Sequence, residues 1–70
     1  METTFNVEGP KEKVNALIEQ VKQMTGENPV SDAFPADGGC RSVNITVSLN
    51  KAVDHIVEYC EDNNITCEFI

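Results

Sequence analysis

The sequence has no tryptophan, one tyrosine and three phenylalanines in 70 residues, and only five Lys or Arg against twelve Asp or Glu. Each shortage excludes something. With bases so scarce and a net charge of −7, a free-standing nucleic-acid binder is not expected, because phosphate neutralisation needs clustered Lys and Arg. Docking on anionic lipid is disfavoured for the same reason. No apolar run approaches the roughly 18 residues of a membrane-spanning helix. The stretch Met1-Glu2-Thr3-Thr4 has neither a basic region nor an apolar one, so no signal peptide is expected. Three cysteines, an odd count, then predict reduced thiols and a cytoplasmic setting.

What is present suits one small domain. The composition is 40% hydrophobic and 24% charged, which is globular rather than disordered. A chain of this size buries only about 60% of its unfolded surface. Every apolar position is therefore needed for the core, and a deep pocket would compete with it.

Thr3, Phe5 and Val7 alternate with Thr4, Asn6 and Glu8, the period of a strand with one buried face. Gly9-Pro10 breaks it, and Pro10 suits a first helical position. Val14, Leu17, Ile18, Val21 and Met24 recur at helical spacing until Thr25-Gly26 supplies a stop. The pattern predicts a helix over 10–25. In the segment 41–49, Val43, Ile45, Val47 and Leu49 alternate with Ser42, Asn44, Thr46 and Ser48. Asn50 then reads as the N-cap of a second helix with a core stripe of Val53, Ile56, Val57 and Cys60. Asn63-Asn64 can end it, and Ile65, Cys67 and Phe69 alternate in a last strand.

The segment 27–40 is too long for a structureless loop in so small a domain. Asp37-Gly38-Gly39 reads as a turn, and Val30 and Phe34 share strand parity before it. A short strand at 29–34 completes the order β-α-β-β-α-β, with Pro29 and Pro35 confining it to an edge. A shift of 39 residues lays Val14, Leu17, Ile18 and Val21 onto Val53, Ile56, Val57 and Cys60. Two matched halves predict a ferredoxin-like α+β sandwich, an antiparallel sheet with both helices on one face. A three-stranded variant with 27–40 irregular is the alternative.

That architecture hosts many functions, so particular residues must decide. A heavy-metal chaperone of this fold would carry Cys-x-x-Cys at the first loop, where this chain has Glu8-Gly9-Pro10-Lys11. An RNA-recognition module needs aromatics on the open sheet face. Here that face reads Thr4, Asn6, Ser42, Asn44, Thr46, Thr66 and Glu68. An acylphosphatase-like enzyme would need an Arg in the first loop, and only Lys11 is near. Val7-Glu8-Gly9-Pro10 and the helix after it resemble an amino-acid-sensing ACT domain. The resemblance implies a homodimer, paired through an edge strand or the open sheet face, that binds a small metabolite near Gly9 and Pro10.

Cys60 and Cys67 fall at core positions and read first as small apolar residues. They lie near one end of the domain, so a redox-sensitive pair is the sharper reading. No zinc or other metal cofactor is expected, since nothing has ligand spacing. Cys40 is the accessible thiol, with Arg41 beside it. Strand and helix geometry hold His55, the only histidine, on the order of 20 Å from Cys40, too far for a nucleophile–base pair. His55 reads as exposed and structurally idle. Gly38-Gly39 precedes a strand, so it is a turn and not a phosphate loop. No enzyme is predicted.

Charge is the most distinctive feature. Asp54, Glu58, Glu61, Asp62 and Glu68 lie in a segment without Lys or Arg. The first three fall at i, i+4 and i+7, one stripe on the solvent side of the second helix. Asp62 sits near the negative end of the helix dipole. Stability does not explain this placement. It serves either as a solvated face or as a docking surface for a basic protein partner. The expectation is an interaction protein that binds or inhibits a basic, nucleic-acid-handling partner. In size and charge it resembles the inhibitors and anti-defence proteins of phages and mobile elements. The ACT-like sensor is the alternative.

Overall fold

The computed structural model describes residues 2–70. Strand β1 (Thr3–Pro10) leads into helix α1 (Lys11–Thr25), then β2 (Val30–Phe34), β3 (Cys40–Val47), helix α2 (Asn50–Asp62) and β4 (Thr66–Phe69). The four strands form one sheet in the order β2-β3-β1-β4, with every neighbouring pair antiparallel. This is the expected ferredoxin-like α+β arrangement, and the segment before the Gly38-Gly39 turn is a strand.

Alternation along β1 and β3 builds the core. Phe5 and Val7 face the helices with Val43, Ile45 and Val47, and all five are buried. From α1 the expected stripe of Val14, Leu17, Ile18 and Val21 closes over them. Gly26 ends α1 in the left-handed conformation at φ 77°, its N–H donating to the Lys22 carbonyl at 2.8 Å. Asn64 turns the chain after α2 with φ 54°, a conformation asparagine tolerates. Gly9 answers a different need. It pairs with Arg41 inside β1, and a Cβ there would lie 3.1 Å from Ile65 Cγ1.

Several local expectations are corrected. Pro10 is the last residue of β1, and α1 starts at Lys11. Leu49, not Asn50, occupies the N-cap position of α2, and Asn50 is already helical. Strand β3 stops at Val47, so Leu49 leaves the core and is 47% exposed. The core stripe of α2 is rotated toward Ala52, which is fully buried with Ile56 and Cys60, while Val53 and Val57 are half-buried. Ala52 takes a fully buried place in that stripe, which sequence hydrophobicity alone undervalues. Met24 lies exposed beyond the α1 stripe.

Strand β2 departs from simple alternation. Val30 pairs with Ile45, but Asp32 pairs with Asn44, so one extra residue is inserted between them. This bulge reverses the parity. Phe34 therefore pairs with Ser42 on the open face instead of sharing the core side with Val30. Phe69 keeps the expected side but lies beyond the cover of the helices. Its ring sits 4.7 Å from that of Phe5, and it is 70% exposed.

The open face is held by its own polar groups. Thr4 and Thr46 hydroxyls lie 3.0 Å apart, and the Asn6 side-chain amide donates to Asn44 Oδ1 at 3.0 Å. Thr46 continues to the Ser31 hydroxyl at 3.2 Å. The central strands thus carry a ladder of paired Thr and Asn where an RNA-recognition module would carry stacking aromatics.

Candidate interaction surface on the second helix

The carboxylates of α2 are placed by the phase of its core stripe. Ala52, Ile56 and Cys60 face the sheet. At about 100° per residue, Asp54, Glu58 and Glu61 then lie on the opposite, solvent side. Asp62 borders the same side at the last helical position, and all four are exposed. Helix α2 has no acid in its first turn and no base in its last. Its charge therefore opposes the macrodipole at the C-terminal end. Lys51 is the one base of α2, at the N-terminal end of the stripe, three residues before Asp54.

Part of the missing counter-charge comes from α1. Lys13 Nζ lies 3.5 Å from the Asn63 carbonyl, and the Tyr59 hydroxyl donates to the Lys13 carbonyl at 3.0 Å. Asn63 caps α2 itself, its side-chain amide donating to the Tyr59 carbonyl at 2.9 Å. A cation near the last carbonyls of a helix is favourable. The sequence hid this help because the base is fifty residues away in the chain.

Glu68 is set apart. It pairs with Asn6 and so projects from the open sheet face, with the sheet between it and α2. The structure brings Asp54, Glu58, Glu61 and Asp62 together on one helix and places Glu68 across the sheet from them. Glu68 belongs to β4, which lies at one edge of the sheet and contacts α2.

The sides of α2 are also distinct. His55 Nε2 lies 2.6 Å from Gln20 Oε1, and its ring is 6.0 Å from that of Tyr59. His55 is therefore tied to α1, which corrects the expectation of an idle histidine. Since His55 and Tyr59 face α1, helical phase turns Val53 and Val57 to the other flank, toward β4.

Cys60, at the end of α2, and Cys67, on β4, are neighbours, and both cysteines are free. Burial and the neighbouring Cys67 push the Cys60 thiol up to about 12, and burial also raises Cys67. Cys60 is only 2% exposed. These are protonated packing thiols with a partner in reach. Cys40 is exposed at the start of β3. Arg41 beside it donates to the Asn15 side-chain oxygen, which directs the guanidinium to α1.

A shallow depression lined by Pro10, Lys11, Glu12, Lys13 and Gly39 lies at the start of α1. The first helical amide there, Lys11 N–H, is already bonded to the Gly39 carbonyl at 2.7 Å. Among the described residues, no group of three His, Cys, Asp or Glu side chains is placed to hold a metal, and no helix is long and apolar enough to cross a membrane. Compared with known proteins, the chain matches no family model and no curated sequence.

Proposed function

We propose that this protein is a non-enzymatic interaction module that binds, and thereby inhibits, a basic protein partner. The observation that carries this reading is the exposure of Asp54, Glu58, Glu61 and Asp62 on one side of α2. Like charges at these spacings cost the helix roughly 0.2–0.5 kcal/mol per pair, and Asp62 adds an unfavourable dipole contact. A surface that costs stability is accounted for by what it attracts. Clustered carboxylates speed and orient the approach of a basic surface, such as the nucleic-acid groove of another protein. In size and charge the chain resembles the inhibitors and anti-defence proteins of phages and mobile elements, and a cytoplasmic role of that kind suits it.

The test is capture of partners from extracts of the host cell at low and high salt. Binding should weaken steeply with salt, and the double variant Glu58→Lys/Glu61→Lys should lose the partner. Capture unchanged by the double variant rules out the acidic stripe.

The ligand-sensing reading keeps one specific observation in its favour. The depression beside Pro10 and Lys11 lies where an ACT-like sensor would hold its metabolite. A homodimer in sedimentation, with a melting temperature raised by an amino acid, would favour that reading over the first.

A further inference from the structure

The two edges of the sheet are not alike. Strand β2 has Pro29 before it, Pro35 after it and a bulge between Val30 and Asp32, all of which discourage pairing by another strand. Strand β4 has no proline, no lysine and no bulge against β1. It is short, but its free groups can be named. Ile70 N–H donates to the Thr4 carbonyl at 3.1 Å, so Thr4 and Ile70 are a hydrogen-bonded pair. Antiparallel pairs alternate. In the register Phe5–Phe69, Asn6–Glu68, Val7–Cys67, the N–H and C=O groups of Cys67 and Phe69 therefore point away from β1, off the sheet edge.

The surroundings of this edge differ on its two sides. On the helix side are the half-buried Val53 and Val57 of α2 and the exposed ring of Phe69. Asp54 and Glu61 rise above them on the solvent side of the same helix. On the open side are Glu68 and, on the neighbouring strand, the exposed Glu8. Three of the five bases, Lys11, Lys13 and Lys22, belong to α1.

We infer that the free edge of β4 receives an extended partner segment of alternating basic and apolar residues, which pairs antiparallel to β4 as a fifth strand. This deepens the reading above and rests on it. Residues facing Cys67 and Phe69 exchange backbone hydrogen bonds with them and lay apolar side chains on the ledge of Val53, Val57 and Phe69. Residues facing Glu68 point to the open side, where Lys or Arg meets the carboxylate directly across the strands. A second copy of this chain is the wrong occupant. The twofold register that uses all four free groups pairs Cys67 with Phe69 of the copy, and so sets Glu68 directly against its own equivalent. Like charges directly opposite are destabilising, and each copy carries a net charge of −7.

The probe is the acetylated, amidated peptide Lys-Val-Lys-Val-Lys-Val-Lys, titrated into the isotope-labelled full chain at low salt. Amide shifts should concentrate at residues 65–70. Methylating the valine amides removes the donors to β4 and should weaken binding by at least about tenfold, the worth of two backbone hydrogen bonds. Methylating the lysine amides should leave most of the binding, and Glu68→Lys should weaken the parent peptide. Equal binding of the two methylated peptides, no binding of the parent, or shifts confined to α2 overturns edge pairing. None of those results touches the acidic-surface reading, which stands or falls on the salt-sensitive capture lost in Glu58→Lys/Glu61→Lys. A dimer of the free protein that Phe69→Asp dissociates also overturns the inference, because a copy then fills the edge.

Discussion

The Tyr59 hydroxyl donates to the main-chain carbonyl of Lys13 at 3.0 Å, while the Lys13 ammonium reaches the Asn63 carbonyl just past Tyr59. The two contacts join the start of α1 to the end of α2, where the charge of α2 is least favourable. Tyr59→Phe keeps the ring and removes the hydroxyl. It should lower stability by about 0.5–1 kcal/mol, since the bond is exposed, and the denaturation midpoint in urea reads it. An unchanged midpoint would show that water replaces the bond at no cost.

Reversing charge at the end of α2 should act in the opposite direction. Asp62→Lys places a cation beside the last carbonyls of the helix and removes a misplaced anion. A gain of about 0.3–1 kcal/mol is expected at low ionic strength, shrinking in salt. Thermal denaturation at two salt concentrations measures it. A variant that is more stable and captures less partner would show directly that this acid is retained against stability.

Gly9→Ala tests the closest approach in the fold. The added methyl would meet Ile65 Cγ1 at 3.1 Å, and Ile65 is buried with little room to yield. Overpacking of this kind costs about 1–3 kcal/mol. The double variant Gly9→Ala/Ile65→Val should recover part of the loss, whereas simple additivity in chemical denaturation would place the strain elsewhere.

Stability should fall in alkali because of Cys60. Its thiol has a pKa of about 12 in the folded chain against 9.0 when free. The folded state keeps a proton that the unfolded state releases, so the contribution is complete below about pH 9 and is lost between 9 and 12. Cys67 is shifted in the same direction. Cys60→Ala should flatten that part of the pH–stability curve after its own cavity cost is subtracted. In the native protein, alkylation should reach the exposed Cys40 first and Cys60 last. A slope that persists in Cys60→Ala would assign it to other groups.

The parts of this fold that were readable in the sequence are those fixed by a single element. Val14, Leu17, Ile18 and Val21 declare one face of α1, and Gly26 declares its end, because each follows from local periodicity and backbone preference. The side taken by Phe34 was hidden, since the bulge that reverses it depends on how β2 meets β3. Leu49 had the right parity for the core but lay past the end of the strand. On α2, the exposed acids were legible as a stripe. Their relief by Lys13, the link of His55 to Gln20, and the separation of Glu68 from the rest all required the packed arrangement. The nearness of Cys60 to Cys67 was foreseeable, because a helix end and a strand start were joined by only a short turn.

The matched side chains on the open face, Thr4 with Thr46 and Asn6 with Asn44, have a consequence for how the chain finds its pairing. Sliding β1 by one residue against β3 would turn its apolar side to water, which burial alone forbids. Sliding it by two would keep every apolar side chain facing the helices, so burial discriminates poorly against it. That slip sets Thr4 against Asn44 and Asn6 against Ser42, and both like-with-like matches vanish together. The water-facing side of the sheet thus proofreads an alignment to which its greasy side is nearly blind.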